Sequence, residues 1–191
     1  MNIITRTFDL FVDQRKFFNE GKIQKIWPAL LIILLSAIIS GIYCWISLTQ
    51  VTTTTPPLGM ISGILSGISI VGAVIGTVVI WIIDSLVFFI CLKIFGHSDC
   101  RFSDILKICG YATGIAILHT VILILVSFIG QPAPFALLLL SLVFLAWQVP
   151  VWFFGFKSLS PKMTRKELMP SVLVPVIIFA IVTLFTSGIF T

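Results

Sequence analysis

The sequence predicts an all-α integral membrane protein, a bundle of five transmembrane helices with the N-terminus in the cytoplasm and the C-terminus outside. Three observations support this class: the composition, five long apolar segments, and basic residues confined to alternate connections. Of the 191 residues 59% are hydrophobic and 10% are charged, and the mean hydropathy is +1.18. Soluble domains are about 25% charged. A chain this apolar has too little polar surface to fold in water.

Apolar segments of about 20 residues are long enough to cross the hydrocarbon core of a bilayer as helices. They divide the chain into a polar N-terminal segment, residues 1–25, and a membrane domain, residues 26–191. The predicted spans are residues 26–48, 70–92, 105–129, 133–156 and 169–190.

The N-terminal segment is predicted to form an amphipathic helix. Its apolar side chains fall on one side of a helical wheel: Ile4, Phe8, Phe11, Val12 and Phe18. The predicted fold places this helix in the membrane interface, where a basic side chain can snorkel from the apolar side to the headgroups. The alternative is a helix packed against the protein's own bundle.

The second apolar segment is longer than one crossing needs, and glycines crowd its first half. We therefore predict a bend or break between Gly67 and Gly72, with a short element at the far surface. Glycine at every fourth position forms a smooth ridge, which is typical of close helix packing in membranes. Self-association through this ridge is the other interpretation. The predicted helix-packing glycines are Gly59, Gly63, Gly67, Gly72 and Gly76.

The basic residues orient the bundle. All twelve Lys and Arg residues lie in the N-terminal segment, the second connection or the fourth connection. The first and third connections and the C-terminus have none. The positive-inside rule therefore puts the N-terminus in the cytoplasm. We expect a multi-pass protein, in the cytoplasmic membrane if the source is prokaryotic.

The same distribution indicates the partners. Nucleic-acid binding would need a basic patch on a water-facing fold, whereas these charges lie between apolar segments. Basic loops beside a bilayer attract anionic lipid headgroups, an effect worth about 1 kcal/mol per charge. Expected partners are the bilayer, anionic lipids, and a second copy or another membrane protein, with no nucleic acid.

One acidic residue, Asp84, lies inside a predicted span. It is nine positions before Lys93, about 13 Å into the bilayer at 1.5 Å per residue. Counting from the nearest lysine places Gln148 at the same depth and His119, twelve positions after Lys107, about 18 Å deep. We therefore predict that Asp84, His119 and Gln148 meet near the midplane. They would form either a cation or proton site or a hydrogen-bonded contact that fixes which spans touch.

Catalysis is not expected. The sequence contains no HExxH, GxSxG or P-loop motif, and no pair of carboxylates outside the loops predicted to be cytoplasmic. Its cysteines lack the spacing of a zinc knuckle or a redox pair. They are predicted to be free thiols packed as small hydrophobes: Cys44, Cys91, Cys100 and Cys109. We predict no enzyme activity, no metal and no cofactor.

Short elements near the second connection carry a family resemblance: Ile94-Phe95-Gly96, Arg101-Phe102-Ser103 and Gly110-Tyr111-Ala112, with Arg15-Lys16-Phe17-Phe18 before the first span. They resemble the Yip-domain family, five-span membrane proteins named for interaction with Rab-type GTPases. The chain is most similar to short prokaryotic members, since the long N-terminal region of the eukaryotic proteins is missing. The matching positions are Phe17, Phe18, Gly96, Phe102, Gly110 and Tyr111.

The resemblance implies a non-enzymatic membrane scaffold or adaptor that acts through protein partners or lipids. The alternative function is a small channel or transporter for an ion, a proton or a solute, using the polar residues around Asp84.

Overall fold

The computed structural model describes residues 9–20, 26–54, 62–95, 100–129, 133–160 and 163–186, and these ranges are helical apart from short connections. Residues 9–12 form a helical turn. The helices are α1 (Gln14–Glu20), α2 (Trp27–Thr54), α3 (Ser62–Ile94), α4 (Phe102–Ile129), α5 (Pro134–Leu159) and α6 (Arg165–Thr186).

Helices α2 to α6 are long and apolar enough to cross a membrane, which confirms the five predicted spans. Helices α2, α4 and α6 begin at the end of the bundle where α3 and α5 finish. We call it the basic end, because Lys93, Arg101, Lys157, Arg165 and Lys166 lie there, and the opposite end the far end. That the basic end faces the cytoplasm remains a prediction from the charge distribution.

Helix α4 is the central element near the basic end. It packs against α2, α3 and α5, and α1 packs against α5 beside it. The buried residues of α4 all lie in its first half: Ile105, Ile108, Cys109, Gly110, Tyr111, Ala112, Gly114 and Ile115. Because five consecutive residues are buried, this part of α4 is enclosed on every side.

The other spans also bury their side chains mainly near the basic end. Examples are Ile33 of α2, Phe88 of α3, Phe156 of α5 and Leu168 of α6. In the far half of the bundle, large apolar side chains are exposed instead, among them Leu125, Phe128, Phe135, Leu139 and Val143. Most of the packed core therefore lies in the basic half, and the far half presents apolar side chains to lipid.

The prediction of a break in the second apolar segment is wrong, because α3 is continuous through Gly67 and Gly72, and the alternative of a bend stays a prediction. Within a bilayer no water competes for the backbone hydrogen bonds of a helix, so glycine does not interrupt it. The prediction that glycines of this segment pack closely against other helices is also wrong at Gly67, Gly72 and Gly76, where an added Cβ would meet no atom within 4 Å. Gly59 lies outside the described residues, and the surroundings of Gly63 are not described. Self-association through this ridge stays a prediction.

Close contacts between helices occur at other glycines. An added Cβ at Gly110 would lie 2.7 Å from Ala29 Cβ, so α2 and α4 touch backbone to backbone there. At Gly155 it would lie 2.6 Å from Ile108 Cγ2, between α4 and α5. These close approaches help to build the packed half of the bundle.

Candidate functional site at the basic end

The described part of the N-terminal segment, residues 9–20, forms two short helical pieces joined at Asp13. The Asp13 backbone N–H donates to the Asp9 carbonyl at 2.8 Å and closes the first turn. Its carboxylate Oδ1 accepts a hydrogen bond from the Lys16 backbone N–H at 3.0 Å. A side-chain acceptor at this position satisfies an otherwise unpaired N–H at the start of a helix. Asp13 therefore both ends the turn and caps α1.

Three aromatic rings fasten α1 to the bundle. Phe17 and Phe18 meet edge to face, with ring centroids 5.0 Å apart. Both also meet Tyr111 of α4 edge to face, at 5.2 Å and 6.4 Å. Aromatic pairs in this geometry contribute about 0.5–1.5 kcal/mol beyond the burial of their area. Phe18 also lies against Gly155, where its Cζ would be 3.2 Å from an added Cβ.

The structure thus brings together four of the positions that carry the family resemblance, Phe17, Phe18, Gly110 and Tyr111. Gly110 contacts α2 and Tyr111 contacts α1, so two adjacent residues of α4 pack against two different helices. Phe102, a fifth position, packs edge to face on Phe89 of α3 at 5.7 Å. Gly96 lies outside the described residues.

The beginning of the N-terminal segment lies deep in the bundle. Leu10 is buried and would lie 3.5 Å from an added Cβ at Gly114, which is twelve residues into α4, about 18 Å at 1.5 Å per residue. The Phe11 carbonyl accepts hydrogen bonds from Trp147 Nε1 at 3.2 Å and from Gln14 Nε2 at 3.3 Å. The segment therefore covers a side of α4 from the middle of the span to the basic end.

This placement bears on the two predicted locations of the N-terminal helix. Most of its described apolar residues pack against the bundle, as the alternative had it, and its location in the membrane interface stays a prediction. Val12, assigned to the apolar side, is 66% exposed, whereas Phe17 is buried. The helical wheel misplaced Val12 because Asp13 interrupts the helix, so the side chains before Asp13 do not point in the directions that one continuous helix would give them. Ile4 and Phe8 lie outside the described residues.

The described carboxylates at the basic end are held by local partners. Asp104 Oδ1 lies 2.8 Å from Lys107 Nζ. Glu167 Oε2 accepts a hydrogen bond from the Thr164 backbone N–H at 3.0 Å. Asp9 Oδ2 is buried and 3.5 Å from Lys16 Nζ. Each of these carboxylates therefore has a partner that lies close to it in the sequence.

Most of the described basic side chains at this end have no carboxylate partner among the described residues. In the described part of the chain no carboxylate forms an ion pair with Arg15, Arg101, Lys157, Arg165 or Lys166. All except Lys157 are exposed, and Lys157 is partly exposed. The basic end therefore carries a surplus of positive charge that the described acids do not neutralise.

The three residues predicted to meet near the midplane are not joined. Asp84 lies within electrostatic range of Cys109 in α4. His119 is ten residues further along α4, about 15 Å. Its Nε2 lies 3.3 Å from Ser141 Oγ of α5, and its ring packs on Phe144 at 5.2 Å. Among the described residues no hydrogen bond or ion pair links Asp84, His119 and Gln148.

The depth count misplaced His119 because two lysines lie at different heights. Ser85 of α3 lies beside Cys109, which is two residues from Lys107, whereas Lys93 is eight residues beyond Ser85. Lys107 therefore lies deeper in the bundle than Lys93. It can do so because its ammonium group is paired with Asp104 and its side chain is only 13% exposed.

Sequence reasoning missed Leu10, Trp147 and Gly155, all of which hold the N-terminal segment. Gly155 did carry a signal, since it is the only small residue in the run Trp152–Phe156. A glycine among bulky aromatic residues indicates a place where another element approaches closely. Leu10 and Trp147 are ordinary apolar residues in this sequence, and nothing distinguishes them from their neighbours.

Comparison with known proteins agrees with this geometry. Residues 8–186 match the family model described as the Yip1 domain, which covers nearly the whole chain. The match begins at the N-terminal segment and continues to the end of α6, so that segment belongs to the domain. No curated protein and no solved structure matches the chain.

Proposed function

The chain belongs to the Yip1-domain family, and from that premise we propose that it is a non-enzymatic membrane scaffold or adaptor acting through lipids or protein partners. The proposed contact surface is the basic end, which would bind acidic groups. Anionic phospholipid headgroups are the nearest such groups to the ends of membrane spans, and an acidic face of a membrane protein has the same chemistry.

The observation that carries this proposal is the unpaired positive charge. Four exposed basic residues have no carboxylate partner among the described residues: Arg15, Arg101, Arg165 and Lys166. The described carboxylates at this end already have local partners, as Asp104 has in Lys107. Basic side chains near a bilayer surface gain about 1 kcal/mol each from anionic lipids. A surface with this surplus favours negatively charged partners.

The motif residues support a structural role. Phe17, Phe18 and Tyr111 are buried against one another, and Gly110 is pressed against Ala29. Side chains used in this way stabilise the position of α1 and are not open to a substrate. The family positions thus hold α1 in place against the bundle, which suits a scaffold or adaptor.

Native mass spectrometry of the protein in nanodiscs tests the lipid contact. The discs would contain a zwitterionic phospholipid and an anionic one with the same acyl chains. Arg15 and Lys16 are adjacent and both exposed, but only Lys16 has a carboxylate partner, Asp9. We expect Arg15→Gln to reduce retention of the anionic lipid roughly fivefold, the equivalent of about 1 kcal/mol, and Lys16→Gln to reduce it less.

Salt provides a second control, because exposed charges are screened within about 10 Å at 0.1 M ionic strength. Retention of the anionic lipid should fall as salt is added to the wild type. Equal retention of the two lipids by the wild type, independent of salt, would refute headgroup binding at the basic end.

A second candidate function is transport, and one observation favours it: Asp84 lies inside a span without a hydrogen bond or ion pair to a described residue. Ion or proton flux through liposomes containing the wild type and Asp84→Asn tests it. Flux that is lost in the variant supports transport. Flux and stability that are both unchanged by Asp84→Asn would show that this carboxyl group has no role of either kind.

A further inference from the structure

Asp84 lies well inside a continuous transmembrane helix. The span within α3 runs from Gly67 to Ile94. Asp84 is ten residues from its basic end, about 15 Å, and seventeen from its far end, about 25 Å, at 1.5 Å per residue. A hydrocarbon core is about 30 Å thick. The carboxyl group is therefore within the hydrocarbon and away from both headgroup layers.

The polar groups nearest to Asp84 in its own helix are used elsewhere. Trp81 Nε1 donates to the Leu106 carbonyl of α4 at 3.0 Å. Ser85 Oγ donates to the Trp81 carbonyl at 2.7 Å. Neither can therefore give that hydrogen to the carboxyl group, and no other described side chain forms a hydrogen bond or ion pair with Asp84.

The neighbouring helices supply no countercharge. Helix α3 packs against α2, α4 and α6, and its Phe88 also contacts Trp152 and Phe156 of α5. The one charged residue of α5 is Lys157, in its last turn. The sequence of α2 contains no charged residue, and α6 contains none after Glu167 in its first turn. In α4 the titratable group beside Asp84 is the thiol of Cys109, and the nearest cation, Lys107, is paired with Asp104.

The side chain of Asp84 also borders the lipid. It is partly exposed, at the edge of the buried stripe that contains Ser85 and Phe88. Its neighbours on the outer side, Ile80 and Ile83, are 59% and 50% exposed. An ionised carboxylate at such a position costs about 3 kcal/mol on insertion scales, and a neutral carboxylic acid avoids that cost.

We propose that Asp84 is a proton-binding site inside the bilayer, a carboxyl group that carries its proton in mildly acidic solution, where exposed aspartates are ionised, and that is reached from the lipid. The inference deepens the second candidate function by naming the ligand as a proton. It rests on the surroundings of Asp84 alone, however, and holds whether or not the protein moves protons across the membrane.

A hydrophobic carbodiimide, dicyclohexylcarbodiimide, tests this on the unaltered protein in lipid vesicles. The acid proton transfers to a carbodiimide nitrogen and the carboxylate oxygen bonds to the central carbon. The acyl group then migrates from oxygen to nitrogen, which leaves a stable N-acylurea with every atom of both reactants. Peptide mass spectrometry locates the added mass. Because the reaction needs the acid proton and the reagent partitions into lipid, protonated carboxyl groups beside the hydrocarbon react preferentially.

We expect the N-acylurea on Asp84 in mildly acidic buffer, in a yield that falls as the pH is raised and the proton is lost. Asp84→Glu should keep the reaction and Asp84→Asn should abolish it. Ser85→Ala should keep it too, because Ser85 does not hold the carboxyl group. A water-soluble carbodiimide with an added amine should modify exposed Asp13 and spare Asp84.

Two results would overturn the proposal. One is no N-acylurea on Asp84 at any pH while the reagent is active in the same vesicles. The other is modification of Asp84 by the water-soluble reagent, which would show a hydrated carboxylate. Labelling of Asp84 in a protein without flux would leave the proton site standing and reject transport. Flux that persists in Asp84→Asn, with no label in the wild type, would reject the proton site.

Discussion

The basic and far halves of the bundle differ, although the same helices build both. In α4 the residues around Cys109 are buried on every side, whereas Leu125, Phe128 and Ile129 are 58%, 71% and 89% exposed. The N-terminal segment contributes to this difference, because it packs on α4 at Tyr111 and Gly114, in the half where the neighbouring spans also bury it. A short segment outside the spans therefore completes the core.

Glycines show the same contrast. Gly110 lies in the basic half, where an added Cβ would lie 2.7 Å from Ala29, and Gly72 lies in the far half, where it would meet nothing within 4 Å. Close packing in this protein thus does not follow the density of glycines, since Gly41, the one glycine of α2, would place a Cβ 3.3 Å from Ile70 Cγ2. No described residue of another helix lies within 4 Å of an added Cβ at Gly67, Gly72 or Gly76.

The largest effect should come from removing the aromatic contact that holds α1. Replacing a buried Phe by Ala costs about 3–5 kcal/mol in well-packed cores, so we expect Phe17→Ala or Phe18→Ala to lower the free energy of unfolding by about 3 kcal/mol. Thermal unfolding in detergent measures this. Val12→Ala, in the same segment but 66% exposed, is the control and should change stability little. Equal losses for Val12 and Phe17 would contradict a packed N-terminal segment.

A smaller effect should separate the two glycines. Gly110→Ala pushes a methyl group into Ala29, and overpacking of this kind costs about 1–3 kcal/mol. Gly72→Ala adds the same group to open space and should stabilise α3 by up to about 1 kcal/mol, because glycine weakens helices. The two variants compared by chemical denaturation should therefore differ in sign. Destabilisation by Gly72→Ala as large as that by Gly110→Ala would mean that the far half is packed as well.

Loss of one hydrogen bond in the basic half should cost less. Trp81 Nε1 donates to the Leu106 carbonyl between α3 and α4. Trp81→Phe removes the donor together with part of the indole ring, so we expect a loss of at least about 1 kcal/mol. Trp27→Phe serves as a control, since Trp27 is 69% exposed. A Trp81 variant as stable as the Trp27 variant would show that the bond contributes nothing.

The smallest effect is expected for a polar contact in the far half. Ser141 Oγ and His119 Nε2 are 3.3 Å apart, which is a long hydrogen bond. Hydrogen bonds between membrane helices contribute about 0.6 kcal/mol on average, so Ser141→Ala should lower stability by that amount or less. A loss of stability as large as that of Phe17→Ala would contradict the account, because a contact in the far half would then contribute as much as the packed core of the basic half.

The five spans were predictable because length and hydropathy alone determine which segments can cross a bilayer. The aromatic contact could be anticipated only in part. The family resemblance singled out Phe17, Phe18, Gly110 and Tyr111, but nothing in their spacing along the chain says that they touch. Contacts between residues so distant in sequence depend on how the helices are arranged, and one sequence does not specify that arrangement.

Two predictions were wrong for physical reasons. Depth was counted from lysines as if each marked the membrane surface, yet Lys107 lies deeper because Asp104 pairs with it. The glycines of α3 were assigned to a break and to close packing, because in water glycine weakens helices and in membranes it lets helices meet. At Gly72 the helix continues and an added Cβ would meet nothing within 4 Å, so neither a break nor a close contact forms there.

Amide hydrogen exchange of the protein in nanodiscs tests the central claim most directly, that the N-terminal segment is part of the core in the basic half. The account predicts slow exchange in α1, Gln14–Glu20, comparable with the first half of α4, and a marked acceleration of α1 exchange in Phe17→Ala. Exchange in α1 as fast as that of an unstructured peptide, unchanged by Phe17→Ala, would contradict it.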